Sequence, residues 1–311
     1  MRVAVFGAAG FIGKNLIRAL QERGMEFIAA DIAESPFSRD VNYTQVDILN
    51  PNKVEEVVSW AGTDGVVVHL AASPLSASWE DMKTNMRVNI EGTLNIMEAC
   101  RKHRIQKMIF SSASSIIGKV RYPKGRNYAV VDEEHPCTPM TPYAITKKAC
   151  EDYLRIYHNK YNNFNYLIFR FFNVYGPEQR AGVVPSVYRT LKKGETFTIY
   201  GERDNPPIRD FIYVGDVVKF IINGIKREDV KNEVVNLGTG VPTTIEALVK
   251  ISAEILNVEA RIAYAPPKPG EIGNFIADLK KLKRLFGEKP KTNLENGLQK
   301  TFEWMEKFKN W

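Results

Sequence analysis

The 311-residue sequence has few cysteines and no long hydrophobic run. Its cysteines are Cys100, Cys137 and Cys150, an odd number without metal-ligand spacing. This argues against a disulfide framework and a zinc site, so we expect no bound metal and a reducing compartment. No apolar run reaches about 18 residues, so no membrane partner is expected. The start of the sequence lacks the basic stretch and apolar core of a signal peptide, and we expect a cytoplasmic protein.

A strong excess of one charge is lacking as well. The chain has 43 lysines and arginines against 36 aspartates and glutamates, a net charge of +7. This mild excess suits an anionic small molecule, and the basic residues are scattered along the chain. The run Lys280–Arg284 lies on a predicted helix, where a solvated face is the usual explanation. We therefore expect no nucleic-acid partner.

The first half of the sequence alternates short β-rich runs with helical segments. This alternation predicts an α/β fold with a parallel sheet and helices on both faces. The predicted strands are Arg2–Phe6, Glu26–Asp31, Tyr43–Asp47, Gly65–Leu70, Gln106–Ser111 and Asn165–Phe172. The predicted helices are Phe11–Arg23, Pro51–Ala61, Glu80–His103 and Met140–Tyr161. After Gly176 the pattern loosens, which indicates a smaller region in the C-terminal part.

A glycine-rich turn, VAVFGAAGFIG, joins the first predicted strand to the first helix. Gly7, Gly10 and Gly13 permit a tight turn and close backbone approach, and a helix N-terminus favours a pyrophosphate. Asp31 ends the second strand, where a carboxylate accepts hydrogen bonds from a ribose and repels a 2′-phosphate. The pattern therefore favours NAD over NADP. A structural turn, with Asp31 as a helix N-cap, is the alternative.

A tyrosine and a lysine occur four residues apart in PYAITKK. Tyr143 and Lys147 then lie on one helix face. An ammonium group favours a phenolate and lowers the pKa of a nearby tyrosine, which makes the pair a candidate acid–base site. Taken alone, this spacing also arises by chance.

These motifs occur in one order with others: HLAAS, NIEGTLN, FSSASSIIG, RFFNVYGP, FTIYG, RDFIYVGDVV, NLGTG and PGEI. Over nearly the whole chain, the sequence resembles the extended short-chain dehydrogenase/reductases of the NAD-dependent epimerase/dehydratase group, which act on nucleotide sugars. The resemblance implies a Rossmann-type doubly wound sheet and a homodimer. It implies an NAD-binding domain at 1–175, to which part of 210–240 returns, and a mainly nucleotide-sugar-binding domain at 176–311. The implied NAD contacts are Gly7, Gly10, Phe11, Ile12, Gly13, Asp31, Asp47, Ile48, Leu70, Ala71, Ala72, Asn89, Ser111, Tyr143 and Lys147.

The same resemblance implies a set of substrate contacts in the C-terminal part. Asn173 and Arg209 would contact the diphosphate, and Glu271 would hold the ribose. Arginine is a planar cation suited to phosphate, although an ion pair with a neighbouring aspartate is an alternative for Arg209. Lys268 stands where the family has an arginine, and it lacks the bidentate fork. The residues implied to line the base pocket are Val184, Thr198 and Tyr200.

The serine-rich stretch FSSASSIIG departs from the family pattern. Family members usually carry Ser or Thr four positions before the tyrosine of a VYG-like end, and here that position is Ala113. Ser112 and Ser114 flank it and are the candidate catalytic hydroxyls beside Tyr143 and Lys147. Related dehydratases and decarboxylases place carboxylates in this stretch, which has none between positions 111 and 118.

The leading prediction is an NAD-dependent nucleotide-sugar 4-epimerase that works on a UDP-hexose through a transient 4-keto intermediate. Tyr143 would take the proton of the 4-hydroxyl, and Lys147 would lower the tyrosine pKa. A nucleotide-sugar 4,6-dehydratase or 4-ketoreductase is an alternative. A non-catalytic NAD-binding scaffold is an alternative of another class, motivated by Ala113.

Overall fold

A computed structural model of the protein describes residues 1–267, 270 and 272–308. Glu271, implied to hold the ribose, lies outside the described residues, and so does Lys268. The α-helices of the described part are α1 (Phe11–Glu22), α2 (Pro51–Ala61), α3 (Met82–Met86), α4 (Gly92–Lys102), α5 (Pro142–Lys160), α6 (Val183–Lys192), α7 (Val214–Lys226), α8 (Ile245–Leu256), α9 (Lys280–Phe286) and α10 (Leu294–Lys307).

The strands of the described part are β1 (Val3–Phe6), β2 (Phe27–Asp31), β3 (Tyr43–Gln45), β4 (Val66–His69), β5 (Lys107–Ala113), β6 (Ala129–Val131), β7 (Tyr166–Phe171), β8 (Asn173–Tyr175), β9 (Phe197–Tyr200), β10 (Ile208–Arg209), β11 (Phe211–Tyr213), β12 (Glu233–Leu237), β13 (Thr243–Thr244), β14 (Ile262–Ala265) and β15 (Phe275–Ala277). Short 3-10 turns lie at Leu75–Ala77 and Ser114–Ile116.

The central sheet has seven strands in the order β12-β7-β5-β4-β1-β2-β3. Strand β1 pairs in parallel with β2 and β4, and β2–β3 and β4–β5 are also parallel. The strand order reverses direction after β1, which brings the turns after β1 and β4 together at the carboxyl edge of the sheet. The predicted doubly wound parallel sheet is confirmed.

The long helix predicted at Glu80–His103 is present over Met82–Lys102, but it is not α-helical throughout. Between α3 and α4 the chain makes a π-helical segment at Arg87–Glu91. An added residue in a helical turn changes the direction of the side chains that follow. Asn89, at the centre of this segment, is buried and hydrogen-bonded to a neighbouring loop, which explains why the regular turn is interrupted here.

The chain folds into two compact units, each with its own core. Unit 1 contains residues 1–116, 137–170 and 218–235, and unit 2 contains 117–136, 171–217 and 236–311, of which the structure describes the ranges given above. In unit 1, side chains of β1, β4 and β5 are fully buried against α2, α4 and α5. In unit 2, α6, α8 and α10 enclose a second apolar cluster. The assignment of 1–175 to NAD and 176–311 to the sugar stays a prediction.

A buried ion pair joins helix α5 to strand β7 in unit 1. Arg170 donates from Nε to Glu151 Oε1 at 3.0 Å and from Nη2 to Oε2 at 2.8 Å. The Arg170 and Glu151 side chains are 2% and 0% exposed. A bidentate pair of this kind fixes both the rotation and the position of the helix along the strand. Because α5 also carries Tyr143 and Lys147, the pair holds those residues relative to the sheet.

We expect Arg170→Met to lower the free energy of unfolding by about 3–5 kcal/mol, because the buried Glu151 carboxylate loses its bidentate partner and keeps only the more distant Arg155. Urea denaturation measures this value. Arg155→Met is the control, since Arg155 is 40% exposed and lies 3.6 Å from Glu151; solvent screening limits its loss to about 1 kcal/mol or less. The double variant Glu151→Leu with Arg170→Met should regain much of the loss. Equal losses in the two single variants would contradict this account.

Candidate active site

The glycine-rich turn after β1 packs directly against the loop that follows β4. Gly7 has φ +84°, and a Cβ placed on it would lie 2.4 Å from the Ala71 backbone nitrogen. A Cβ on Gly13 would lie 2.1 Å from the Gly7 carbonyl oxygen. Gly10 is the N-cap of α1, and Phe11 and Ile12 form its first turn. The N-terminus of α1 therefore lies in a closely packed backbone turn, called the cradle below, in which Gly7 and Gly13 leave no room for a Cβ.

A cavity of about 410 Å³ opens beside this turn in unit 1. Residues implied to contact NAD line it together with others that the sequence analysis did not single out. The former are Gly7, Gly10, Asp31, Asp47, Ile48, Leu70, Ala71 and Ala72, and the latter are Ala9, Ile32, Ala33, Val46, Ser73 and Val88. The additional residues are neighbours of the predicted ones along the chain. Their positions at the ends of the predicted strands could therefore have indicated that they line the same cavity.

Asp31 is the acidic residue at the end of β2 in this cavity. Its Oδ2 accepts from Ala9 N at 2.9 Å and its Oδ1 from Ala33 N at 3.1 Å. The carboxylate is therefore fixed by backbone, and its charge lies where a ribose of a bound dinucleotide is predicted.

We expect Asp31→Asn to raise the affinity for NADP relative to NAD by about tenfold, because removal of the charge relieves repulsion of a 2′-phosphate. Titration of both dinucleotides by calorimetry gives the ratio. Glu34→Gln removes the same charge from an exposed residue three positions further, and it should leave the ratio unchanged. A ratio that stays the same in Asp31→Asn would show that this carboxylate does not select the cofactor.

Asn89 joins the loop after β4 to helix α5. Its Oδ1 accepts from Ser73 N at 2.7 Å, and its Nδ2 donates to Thr146 Oγ1 at 2.9 Å. Its backbone oxygen accepts from Thr93 Oγ1 and Cys150 Sγ. The side chain thus holds the cavity wall against the helix that carries Tyr143. Direct contact of Asn89 with NAD stays a prediction.

Tyr143 and Lys147 lie one turn apart on α5, as predicted. Lys147 is buried, and its Nζ donates to the backbone oxygen of Ser111 at 2.8 Å and lies 5.7 Å from the centre of the Tyr143 ring. Ser111 Oγ in turn donates to the His69 backbone oxygen at 3.0 Å. The ammonium group is therefore held between the end of β5 and the tyrosine ring.

Burial has the largest effect on the pKa values of both residues, and the lowering of the Tyr143 pKa by Lys147 stays a prediction. Burial raises the pKa of Tyr143 to about 12, because the phenolate loses solvation. Burial lowers the pKa of Lys147 to about 8 for the same reason. The lysine stays mostly protonated near pH 7, whereas the phenol needs a further positive charge before it ionises readily.

The serine-rich stretch begins on β5 and ends in the 3-10 turn Ser114–Ile116, which packs against α5. Ser112 and Ser114 are buried, whereas Ala113 and Ser115 are half-buried. Among the described residues, the Ser112 and Ser115 hydroxyl oxygens are buried without a hydrogen-bond partner. The sequence analysis missed Ser115. Ser115 lies beyond the end of β5, in the 3-10 turn, so no strand alternation could have indicated its position.

Most residues implied to bind the sugar nucleotide lie in unit 2. Thr198 and Tyr200 are exposed on one face of β9, and Asn173 on β8 donates from Nδ2 to the Asp210 backbone oxygen at 3.3 Å. Val184 is buried in the unit 2 core, so its side chain serves packing.

Arg209 is half-buried next to a fully buried aspartate in unit 2. The Asp210 carboxylate accepts hydrogen bonds from Thr239 N, Thr239 Oγ1, Gly240 N and Ala277 N at 2.6–3.0 Å. Asp216 accepts from Thr292 N at 2.9 Å. Both aspartates therefore have structural roles of their own.

Comparison with known proteins decides the family. The profile of the NAD dependent epimerase/dehydratase family matches residues 3–238. The chain belongs to this family. A UDP-glucose 4-epimerase from Thermotoga maritima, solved with UDP-glucose, is 31% identical with a TM-score of 0.89 and full coverage of both chains. The enzyme of the same name from Thermus thermophilus, solved with NAD, is 31% identical with a TM-score of 0.87, covering 98% of this chain and 99% of that one.

Another protein similar to this chain acts, by its name, on a different sugar. The UDP-glucuronate 4-epimerase of Thermodesulfobacterium geofontis is 28% identical over 96% of this chain and 94% of its own length. Proteins that resemble this chain thus differ in the sugar that their names give. No helix in the described part of the chain is long and apolar enough to cross a bilayer, and the described residues contain no cluster of metal-ligating side chains.

Proposed function

We propose that the protein is an NAD-dependent UDP-sugar 4-epimerase. The observation that carries the proposal is the Tyr143–Lys147 pair, fixed against the Ser111 carbonyl at the end of a strand in a chain of this family. The named activities of the similar enzymes from Thermotoga maritima and Thermus thermophilus support it.

The residues of unit 1 fit a bound dinucleotide. The cradle formed by Gly7 and Gly13 leaves no room for a Cβ, and a cavity with Asp31 on its wall lies beside it. We assign the diphosphate of NAD to the N-terminus of α1 and one ribose of NAD to Asp31. Bound NAD supplies reversible hydride acceptance at carbon 4 of the sugar and a positive ring that favours the Tyr143 phenolate.

Tyr143 is the acid–base group in this proposal. Its phenolate takes the proton of the 4-hydroxyl as the 4-keto sugar forms, and its phenol returns that proton when the opposite configuration is made. Lys147 stabilises the phenolate through its ammonium charge, and its hydrogen bond to Ser111 fixes the ammonium near the ring. Ser112 and Ser114 stay candidate catalytic residues, and Ser115 joins them because its buried hydroxyl has no partner among the described residues.

The alternatives make different products. A 4,6-dehydratase needs an acid and a base to remove water, and no carboxylate occurs between positions 111 and 118. A 4-ketoreductase consumes a reduced cofactor in each turnover. A non-catalytic scaffold requires that Ala113 abolish turnover, although Tyr143 and Lys147 are both in place.

We infer a homodimer that forms through α3 and α5. These two helices pack together in unit 1 and carry the exposed apolar residues Met82, Met86, Ile145 and Ile156, each 49–56% exposed. Sedimentation at micromolar concentration should give twice the mass of the chain, and Ile145→Lys with Ile156→Lys should give monomers. A wild-type monomer would overturn this inference. A cytoplasmic location also stays part of the proposal, supported by three cysteines that form no disulfide.

NMR spectroscopy of the products tests the proposed reaction. The protein is incubated with NAD and without reductant, separately with UDP-glucose, UDP-N-acetylglucosamine and UDP-glucuronate. We expect the 4-epimer of at least one of them, which also identifies the sugar. A 4-keto-6-deoxy product would establish the dehydratase alternative, turnover only with added reductant would establish the reductase, and no product with intact NAD binding would support the scaffold.

A further inference from the structure

Asn274 is a buried residue in unit 2 whose backbone and side-chain polar atoms all form hydrogen bonds. It lies directly before β15 and is 5% exposed. Its backbone nitrogen donates to Tyr122 Oη at 3.1 Å, and its backbone oxygen accepts from Ala129 N at 2.9 Å. A buried amide with complete hydrogen bonding has one defined orientation.

The Asn274 side chain connects two loops. Its Nδ2 donates to the Asn127 oxygen at 3.1 Å and to the Pro206 oxygen at 3.2 Å. Asn127 belongs to the basic segment 119–128, and Pro206 to the segment that leads into β10. One amide group thus holds both segments at fixed positions within unit 2.

The other end of the same amide contacts Arg209. Asn274 Oδ1 accepts from Ile208 N at 2.9 Å and from Arg209 Nη1 at 3.5 Å. Arg209 Nη1 also donates to the Ile208 oxygen at 2.8 Å. The Arg209 guanidinium is therefore held through its Nη1 atom, which favours a single orientation of the planar group.

We propose that Asn274 is a positioning residue that orients the Arg209 guanidinium for the diphosphate of the nucleotide sugar. This inference rests on the proposed function, because it assigns Arg209 to the diphosphate. A fixed fork loses less conformational entropy when it binds phosphate oxygens, so loss of Asn274 weakens phosphate binding without touching the base. The effect on UDP should therefore exceed the effect on uridine.

The test is calorimetric binding of UDP and of uridine to the wild type and to five variants of the full chain. We expect Arg209→Ala and Asn274→Ala each to weaken UDP binding by about tenfold and to leave uridine binding unchanged. Asn274→Asp is the second variant if the alanine variant does not fold; its carboxylate competes with phosphate for Arg209, so the same UDP-selective loss is expected. The double variant of Arg209→Ala with Asn274→Ala should bind UDP no more weakly than Arg209→Ala alone, since Asn274 acts through Arg209.

Asn236→Ala is the matched control. Asn236 is 0% exposed in the same unit, and its Nδ2 donates to the Val131 oxygen at 3.0 Å. This variant should lose stability and keep the ratio of UDP to uridine affinity. Equal losses for UDP and uridine in Asn274→Ala, or losses that multiply in the double variant, would overturn the inference. If Arg209→Ala binds UDP as tightly as the wild type does, the inference about Asn274 is overturned and the epimerase proposal stands. If the wild-type protein binds neither UDP nor uridine, the proposed function itself is contradicted.

Discussion

Tyr143→Phe should lower kcat by about 10²–10⁴-fold, the usual contribution of a positioned acid–base group. The change removes one hydroxyl and keeps the ring that faces the Lys147 ammonium. Because no other group takes the proton of the 4-hydroxyl in the proposed reaction, the chemical step is lost while the site keeps its shape. Steady-state kinetics with the sugar identified by NMR gives kcat, and calorimetry with NAD should show nearly unchanged affinity.

Tyr153→Phe on the same helix is the control for removing a hydroxyl. Tyr153 is 38% exposed, and its variant should keep wild-type kcat. A Tyr143→Phe variant with near-normal kcat would show that another residue handles the proton. The hydroxyl of Ser115, which has no hydrogen-bond partner in the described part of the chain, would then be the first candidate.

The titration of the Tyr143 phenol should depend on whether NAD is bound. Burial raises that pKa to about 12, so the phenolate fraction of the ligand-free protein increases with pH throughout the neutral range. The positive ring of bound NAD acts in the opposite direction. The phenol in the NAD complex should therefore titrate at lower pH than in the free protein, which tyrosine absorbance can follow in the wild type against Tyr143→Phe.

Gly7→Ala should weaken NAD binding by about a hundredfold or more, which corresponds to about 2.8 kcal/mol. The new Cβ would lie 2.4 Å from the Ala71 nitrogen and 2.6 Å from the Leu70 carbonyl carbon. Both are backbone atoms, so the loop after β4 has to move. That loop lines the cavity assigned to NAD, and the φ of +84° adds strain for any residue with a side chain.

Gly24→Ala is the control that separates the effect of backbone strain from the effect of a steric clash. Gly24 also has a positive φ, +60°, but nothing lies within 4 Å of an added Cβ. Its variant should lose some stability and bind NAD as the wild type does. Fluorescence titration with NAD, after circular dichroism has shown that both variants fold, compares them. Similar NAD affinity in the two variants would contradict the assigned place of the diphosphate.

The sequence was sufficient for the sheet and for the placement of Tyr143 and Lys147 on one helix. The alternation of strands and helices predicted the parallel sheet, because strands buried on both faces form short continuous apolar runs such as GVVVHL at 65–70. The i, i+4 spacing put Tyr143 and Lys147 on one helix face, and the glycine spacing placed the turn after β1. These features are local, so a single stretch of chain contains all the information.

The remaining features depend on contacts between distant segments. The π-helical segment at Asn89 depends on hydrogen bonds to Ser73 and Thr146, which no periodicity shows. The pKa of Tyr143 depends also on burial, a property of the folded chain, which raises it above the ordinary value. Asn274 contacts Asn127 and Pro206, 147 and 68 positions away, and its role follows only from the folded chain.

Epimerisation of UDP-glucose labelled with deuterium at carbon 4 tests the central claim most directly, with the sugar changed if NMR identifies another substrate. The protein is supplied with NAD and no reductant, and the product is analysed by NMR. The account predicts that deuterium stays on carbon 4 in both epimers, because the same hydrogen leaves and returns at that carbon while Tyr143 exchanges only the hydroxyl proton. Deuterium that moves to carbon 6 or is lost to water would contradict the account.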